Sequence, residues 1–215
     1  MAKIIYNRYD KNQIAALPVA QFEGRIIVVI TPGEAVRAVD YLLKQPVLGL
    51  DTETKPSFRR GQMHKVSLLQ VATTDMCFLF RLNSTGLKPL VRLLEDKEVK
   101  KIGLSWHDDL NALHHIGDFK TGDFIDIQSH VREVGIEDLS LQKLYANLFG
   151  RKISKRQQLS NWEADVLDER QKLYAATDAW ACIMIYNELI RLRETKDYKL
   201  VIREDPNEEH LSEKR

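Results

Sequence analysis

Hydrophobic positions fall along this chain in two rhythms. Before about Leu82 they come in short unbroken runs, "GRIIVVI", "PVLGLDTE", "KVSLLQVAT" and "MCFLFRL", each bounded by Gly, Pro or polar residues. Runs of that length, rich in β-branched and aromatic residues, predict four strands. Between the first two lies "TPGEAVRAVDYLLK", with Thr31 placed to cap a helix, Pro32 at its first position and Glu34 three residues after the cap. Thr74-Asp75 separates the last two runs, so a tight turn and antiparallel pairing are expected there. From Leu87 onward the rhythm alternates. "LKPLVRLLED" predicts a helix, "VKKIGLS" a strand, "HDDLNALHHI" a helix, "DFIDIQ" a short strand, and "LSLQKLYANLFG" a helix closed by Gly150. One long helix without internal Gly or Pro follows, from Asp168 to about Thr195. Antiparallel strands followed by strand–helix alternation predict an α/β fold, a mixed central sheet flanked by helices.

The first 23 residues read as an N-terminal extension, residues 24–193 as one continuous domain, and 194–215 as a charged, unstructured tail ending in "REDPNEEHLSEKR". Composition adds limits. At 215 residues, 44% hydrophobic and 29% charged, the chain can bury a substantial core. A net charge of +1 excludes a uniformly basic nucleic-acid binder while leaving room for a local basic groove. No apolar run approaches the roughly 20 residues of a membrane span, and "MAKIIYNRYDKNQ" lacks the pattern of a signal peptide. Cys77 and Cys182 lack metal or redox spacing and are expected to be buried free thiols. An intracellular, cytoplasmic protein with no membrane partner is the expectation.

Candidate chemistry gathers on acids. Asp51 and Glu53 end a strand two residues apart, so both project from the same face. At 4 Å, two carboxylates repel by about 4 kcal/mol in a surface-like dielectric. A shared proton, a basic partner or a metal must offset that, unless both are simply solvated. In "GLSWHDDLNAL", Asp108 and Asp109 fall in a first helical turn just past a strand end, where α/β proteins place their sites and where acids also serve as plain caps. The inward positions Leu110 and Leu113 place Asp109 beside the buried face and leave Asp108 freer to cap. Tyr174 and Asp178 lie one helical turn apart among small and apolar residues, where an acid calls for an ion pair or, better, a metal.

"LDTET", "KVSLLQVAT", "GLSWHDDLNAL" and "LYAATDA", with "SNW" before the last, resemble the DEDD 3′–5′ exonucleases over about Gly24 to Arg193. The likeness is greatest to the Werner-type exonuclease domain and more distant to ribonuclease D. It implies a ribonuclease H-like mixed sheet flanked by helices, and hydrolysis of phosphodiester bonds at a 3′ end to release nucleoside 5′-monophosphates. It also implies two divalent cations, Mg²⁺ or Mn²⁺, held by Asp51, Glu53, Asp109 and Asp178. On that pattern Asp51 is shared by both ions, Glu53 and Asp178 complete one, and Asp109 holds the other; Asp108 is the rival for the second-motif position. Tyr174 matches the water-orienting residue of the tyrosine subgroup. The histidine subgroup would want a His where this chain has Leu173, and ribonuclease D an Arg-Pro-Leu where Trp162 is followed by "EADVL".

The implied partner is nucleic acid with a free 3′ end, DNA favoured and RNA possible, with any helicase or repair partner on a separate chain. Ribonuclease D-like processing of structured RNA, or a catalytically silent binding module on the same fold, are the alternatives. Lys55, Arg59, Arg60, His64 and Lys65 form one candidate phosphate-contacting group, and Arg151, Lys152, Lys155 and Arg156 another. Either is equally readable as a solvated charged loop. Phe58 and Trp162 are candidates for base stacking or for the core. The six histidines show no zinc spacing, and Asp126 reads as an outer or structural contact.

Overall fold

The computed structural model describes residues 2–57 and 64–204. Its frame is a six-stranded sheet made of β2 (Arg25–Val29), β3 (Val47–Thr54), β4 (Val66–Ala72), β5 (Met76–Arg81), β6 (Lys100–Gly103) and β7 (Phe124–Asp126), in the order β2-β5-β4-β3-β6-β7. β4 runs antiparallel to both its neighbours, β3 and β5, and every other pairing is parallel. The β4–β5 turn is fixed by the Thr73 hydroxyl, which accepts from the Met76 N–H at 2.9 Å and donates to the Asp75 carboxylate at 2.9 Å.

Helices cover both faces. On one lie α2 (Pro32–Leu42), the single turn α3 (Leu82–Thr85), α4 (Val91–Glu95) and α5 (Trp106–His114), packed over Leu48, Leu50, Leu69, Val71 and Phe80. Thr31 and Glu34 form the expected capping box: the Glu34 N–H donates to the Thr31 hydroxyl at 3.2 Å and the Thr31 N–H to the Glu34 carboxylate at 3.0 Å. The other face carries α6 (Ile127–Val131), α7 (Leu141–Phe149) and the long α8 (Glu169–Thr195). Gly150 ends α7 in the left-handed conformation, at φ 62°.

Two strands lie outside the sequence-based expectation. β1 (Lys3–Tyr6), followed by α1 (Lys11–Ile14), pairs in parallel with β8 (Tyr198–Val201). The stretch expected to be a tail therefore carries the last two residues of α8 and a strand; residues 205–215 lie outside the described residues. The reason is long-range pairing that a local pattern of four residues cannot reveal. Asn147 on α7 completes the clamp, donating to the Tyr6 carbonyl at 2.7 Å and accepting from the Tyr6 N–H at 2.9 Å. Cys77 and Cys182 are buried free thiols, as expected.

Candidate active site and metal centre

β3 is the strand that builds the site. Its residues 49, 51 and 53 share the face that meets α8, and the first of them is a glycine. A Cβ on Gly49 would lie 2.0 Å from the Ala179 carbonyl oxygen and 2.9 Å from Ile183 Cγ1. Backbone thus rests directly on backbone, and Asp178, one residue before Ala179, is brought down beside Asp51. β6 ends near the level of Gly49, with Gly49 facing Ile102, so Asp51 and Glu53 extend past β6 while still paired with β4 on the other side. A register shift where β3 passes Glu53 and Thr54, leaving Ser67 of β4 as the extra residue, re-aims the strand there.

Asp51, Glu53 and Asp178 each place a carboxylate oxygen within 4.8 Å of the others. Glu53 and Asp178 are buried, at 9% and 6% exposure, and Asp51 is half-buried. A cleft of about 320 Å³ opens over them, lined also by Thr52, Lys155 and Tyr174. The crowding is visible in the proton affinities. Burial, then the charges of Asp51, Asp178 and Asp109, pushes Glu53 up to about 10. Burial raises Asp51 well above the ordinary carboxylate range, and Asp178 and Asp109 add to it. Asp178 is raised by burial to about 7, held down by a hydrogen bond from Tyr174 and by the nearby Lys155 cation. Burial also drives the Tyr174 phenol upward, with Asp178 and Glu53 adding to it.

Asp109 arrives from the opposite face of the sheet. It is half-buried, whereas Asp108 is exposed. It accepts a hydrogen bond from the hydroxyl of Thr52, which points away from its neighbours Asp51 and Glu53. Asp109 stands outside the tight group of three, yet near enough for its charge to raise Asp51 and Glu53. Its own carboxyl is raised by burial, opposed by the Thr52 hydrogen bond. The capping role open to Asp108 falls instead to Asp126. That carboxylate accepts from the N–H groups of Ser105 and Trp106, each at 3.0 Å, and from Gln128 at 2.9 Å. Ser105 sits in the left-handed region at φ 62°, so Asp126 fixes an unfavourable turn from which α5, and Asp109 on it, departs. Alternation along "LDTET" contained the Thr52 signal, since one strand face holds two acids and the other a hydroxyl.

The remaining candidates divide. Lys55 and His64 both pair with Glu163, at 3.0 and 3.3 Å. Trp162 is fully buried against Tyr174, ring centroids 5.9 Å apart, so it is core and not a stacking platform. Phe58, Arg59 and Arg60 lie outside the described residues. Gln70, directly across from Asp51 on β4 and fully buried, has no hydrogen-bond partner for its amide among the described residues.

Acids on the central strand of a mixed sheet, met by an acid on a crossing helix, fit a ribonuclease H-like α/β fold, and solved structures agree in fold. The Aedes aegypti Nibbler EXO domain superposes with a TM-score of 0.74 at 22% identity, covering 92% of this chain and 99% of that one. Escherichia coli RNase D gives 0.70 at 22% identity, covering 80% of this chain and 45% of that one. The chain belongs to the 3′-5′ exonuclease family, whose sequence profile matches residues 26–193. Among relatives, the mouse bifunctional 3′-5′ exonuclease/ATP-dependent helicase WRN is 34% identical over 156 residues, 69% of this chain. The alignment spans 11% of the length of that mouse protein. Among the described residues no helix is long and apolar enough to cross a membrane.

Proposed function

We propose that this chain removes nucleotides from the 3′ end of a nucleic acid, DNA favoured, with two divalent cations, Mg²⁺ or Mn²⁺, releasing nucleoside 5′-monophosphates. The observation that carries the reading is the convergence of Asp51, Glu53 and Asp178, with Asp178 Oδ1 buried and unpartnered among the described residues. A buried acceptor without a donor is costly, and crowded against Asp51 and Glu53 it calls for a cation beyond the nearby Lys155. Hard oxygen donors without sulfur or imidazole suit Mg²⁺ or Mn²⁺.

In this reading Asp51, Glu53 and Asp178 hold one cation, and Asp51 with Asp109 the other. Bound there, the cations would supply Lewis-acid stabilisation of the charge that gathers on the phosphate oxygens. Tyr174 acts as a neutral hydrogen-bonding group. Its raised proton affinity keeps the phenol protonated, its O–H donates to Asp178, and its oxygen lone pairs are left to orient an attacking water. Lys155 brings a cation to the same cleft, where it faces both the acids and an incoming phosphate.

DNA is favoured by the departure from the ribonuclease D pattern, "EADVL" standing after Trp162 where that family has Arg-Pro-Leu. That segment is occupied internally: the Ala164 carbonyl accepts from the Arg81 guanidinium at 2.5 Å, and Glu163 takes Lys55 and His64. RNA is the second reading, favoured by fold likeness to a protein described as an exoribonuclease involved in structured RNA processing. The test uses matched 5′-labelled DNA and RNA strands, single and double, with Mg²⁺ or Mn²⁺. Wild-type protein yields a ladder shortening from the 3′ end, and Asp51→Ala or Asp178→Ala lowers the rate by more than about 100-fold. Undiminished activity in both variants removes the proposed site. Thermal stabilisation by Mn²⁺ without any strand shortening would indicate a silent module.

A further inference from the structure

A second depression, of about 510 Å³, adjoins the acidic cleft. One wall is the loop of residues 152–156; the other is the N-terminal segment, through Lys11, Ala15, Val19 and Gln21. The two hollows share Gln142, Ile153, Ser154 and Lys155, so they lie side by side along that loop. Four cations, Lys11, Lys152, Lys155 and Arg156, line the depression and no acid does. In a chain with 32 basic and 31 acidic residues, that separation is a local concentration of charge rather than a reflection of composition. Lys11 and Arg156 are exposed and without an ion-pair partner among the described residues, and Lys155 is exposed with Asp178 as its nearby acid.

The walls are fixed to each other. The Lys152 N–H donates to the Pro18 carbonyl at 2.9 Å, and the Ala20 N–H to the Lys152 carbonyl at 2.8 Å, forming a parallel bridge between Val19 and Lys152. The Arg151 guanidinium donates to the Val19 carbonyl at 2.9 Å, and the Gln142 amide to the Ile153 carbonyl at 2.8 Å. The Lys152 ammonium caps the Ala15 carbonyl. A preorganised basic wall loses little order on binding. The segment that builds the outer wall precedes the 26–193 stretch matched by the family profile.

We propose that this trench carries the single-stranded sugar-phosphate backbone of the substrate on the 5′ side of the scissile bond, with residues 11–21 as its outer wall. The proposal rests on the nuclease reading above. The shared lining supplies the direction: a strand whose 3′ end reaches Asp51 and Asp178 passes Lys155 and then meets the trench cations. Volume supplies the form, because a hollow of this size is that of a small-ligand pocket and not of a duplex. No aromatic ring lines it, so it reads phosphate and not base.

The experiment compares wild type with Lys11→Glu/Arg156→Glu, and with Lys11→Gln/Arg156→Gln in case charge reversal disturbs folding. Each is assayed on a dinucleotide, too short to reach the trench, on a single strand of about 20 nucleotides, and on a blunt duplex of the same sequence. The ratio of kcat/KM on the long strand to that on the dinucleotide is expected to fall about tenfold. The log–log salt dependence on the long strand should become shallower by about 1.4, two lost phosphate contacts at about 0.7 each. An unchanged ratio and salt slope in both variants overturns the trench while leaving the nuclease reading intact. An equal fall on the dinucleotide also overturns it, since the effect would then lie in the cleft. Equal losses on blunt duplex and single strand overturn the single-stranded occupant. A wild-type protein inactive on every substrate overturns the nuclease reading itself, and the trench with it.

Discussion

At the scale of single residues, the acids bind protons more tightly folded than unfolded. Glu53 is pushed up to about 10 and Asp178 to about 7, while an unfolded chain releases such protons near ordinary carboxylate values. Between those values the folded, metal-free protein holds more protons than the unfolded one, so raising the pH removes stability. The metal-free melting temperature is therefore expected to fall as pH rises from about 5 to about 9, and millimolar Mn²⁺ to flatten that fall. A flat profile without metal would contradict the crowding of Asp51, Glu53 and Asp178. These residues were readable in the sequence because alternation and helical spacing are local rules. Lys155 as the counter-charge of Asp178 was not readable, because no local rule brings residue 155 to a helix that begins at Glu169. Asp126 was singled out only as an outer contact, and its hold on Ser105 and Trp106 depends on β6 and β7 lying side by side.

Among elements, the β3–α8 approach decides whether the acids meet. Gly49→Ala puts a methyl carbon 2.0 Å from the Ala179 carbonyl oxygen, so the helix must lift or the strand must bend. Overpacking of this kind costs about 1–3 kcal/mol, measurable as a lower denaturation midpoint. Exonuclease activity of the still-folded fraction should drop further, since lifting α8 separates Asp178 from Asp51. Full activity per folded molecule would show that the spacing is set elsewhere. The central elements were legible from hydrophobic runs: β2, β4 to β7, α2, α7 and α8 each lie within the stretch that announced it, and β3 and α5 overrun theirs by one residue. α3 and α6 were missed because single helical turns carry too few residues to show a period.

For the whole molecule, the pairing of β1 with β8 turns what reads as extension and tail into structure. A two-stranded sheet is marginal by itself, so its anchoring by Asn147 matters. Asn147→Ala leaves the Tyr6 N–H and carbonyl without their side-chain partner, at a cost of about 1–3 kcal/mol. Amide hydrogen exchange should accelerate in residues 3–6 and 198–201 well before it does in the central sheet. Uniform acceleration across β3 and β4 would mean that the small sheet is part of the main cooperative unit. Neither "KIIY" nor "YKLV" could disclose its partner, since each is four residues long and the two stand near opposite ends of the chain.

That same pairing orders events during synthesis. Lys3–Tyr6 emerges from the ribosome before every strand of the main sheet, yet its partner strand follows α8 and emerges only after them all. The nascent chain must carry an open apolar edge through most of translation, a state that invites pairing with other chains. Residues 11–21 follow directly on that edge. The acidic cleft can thus be complete on a nascent chain whose N-terminal segment still lacks the strand that ties it down.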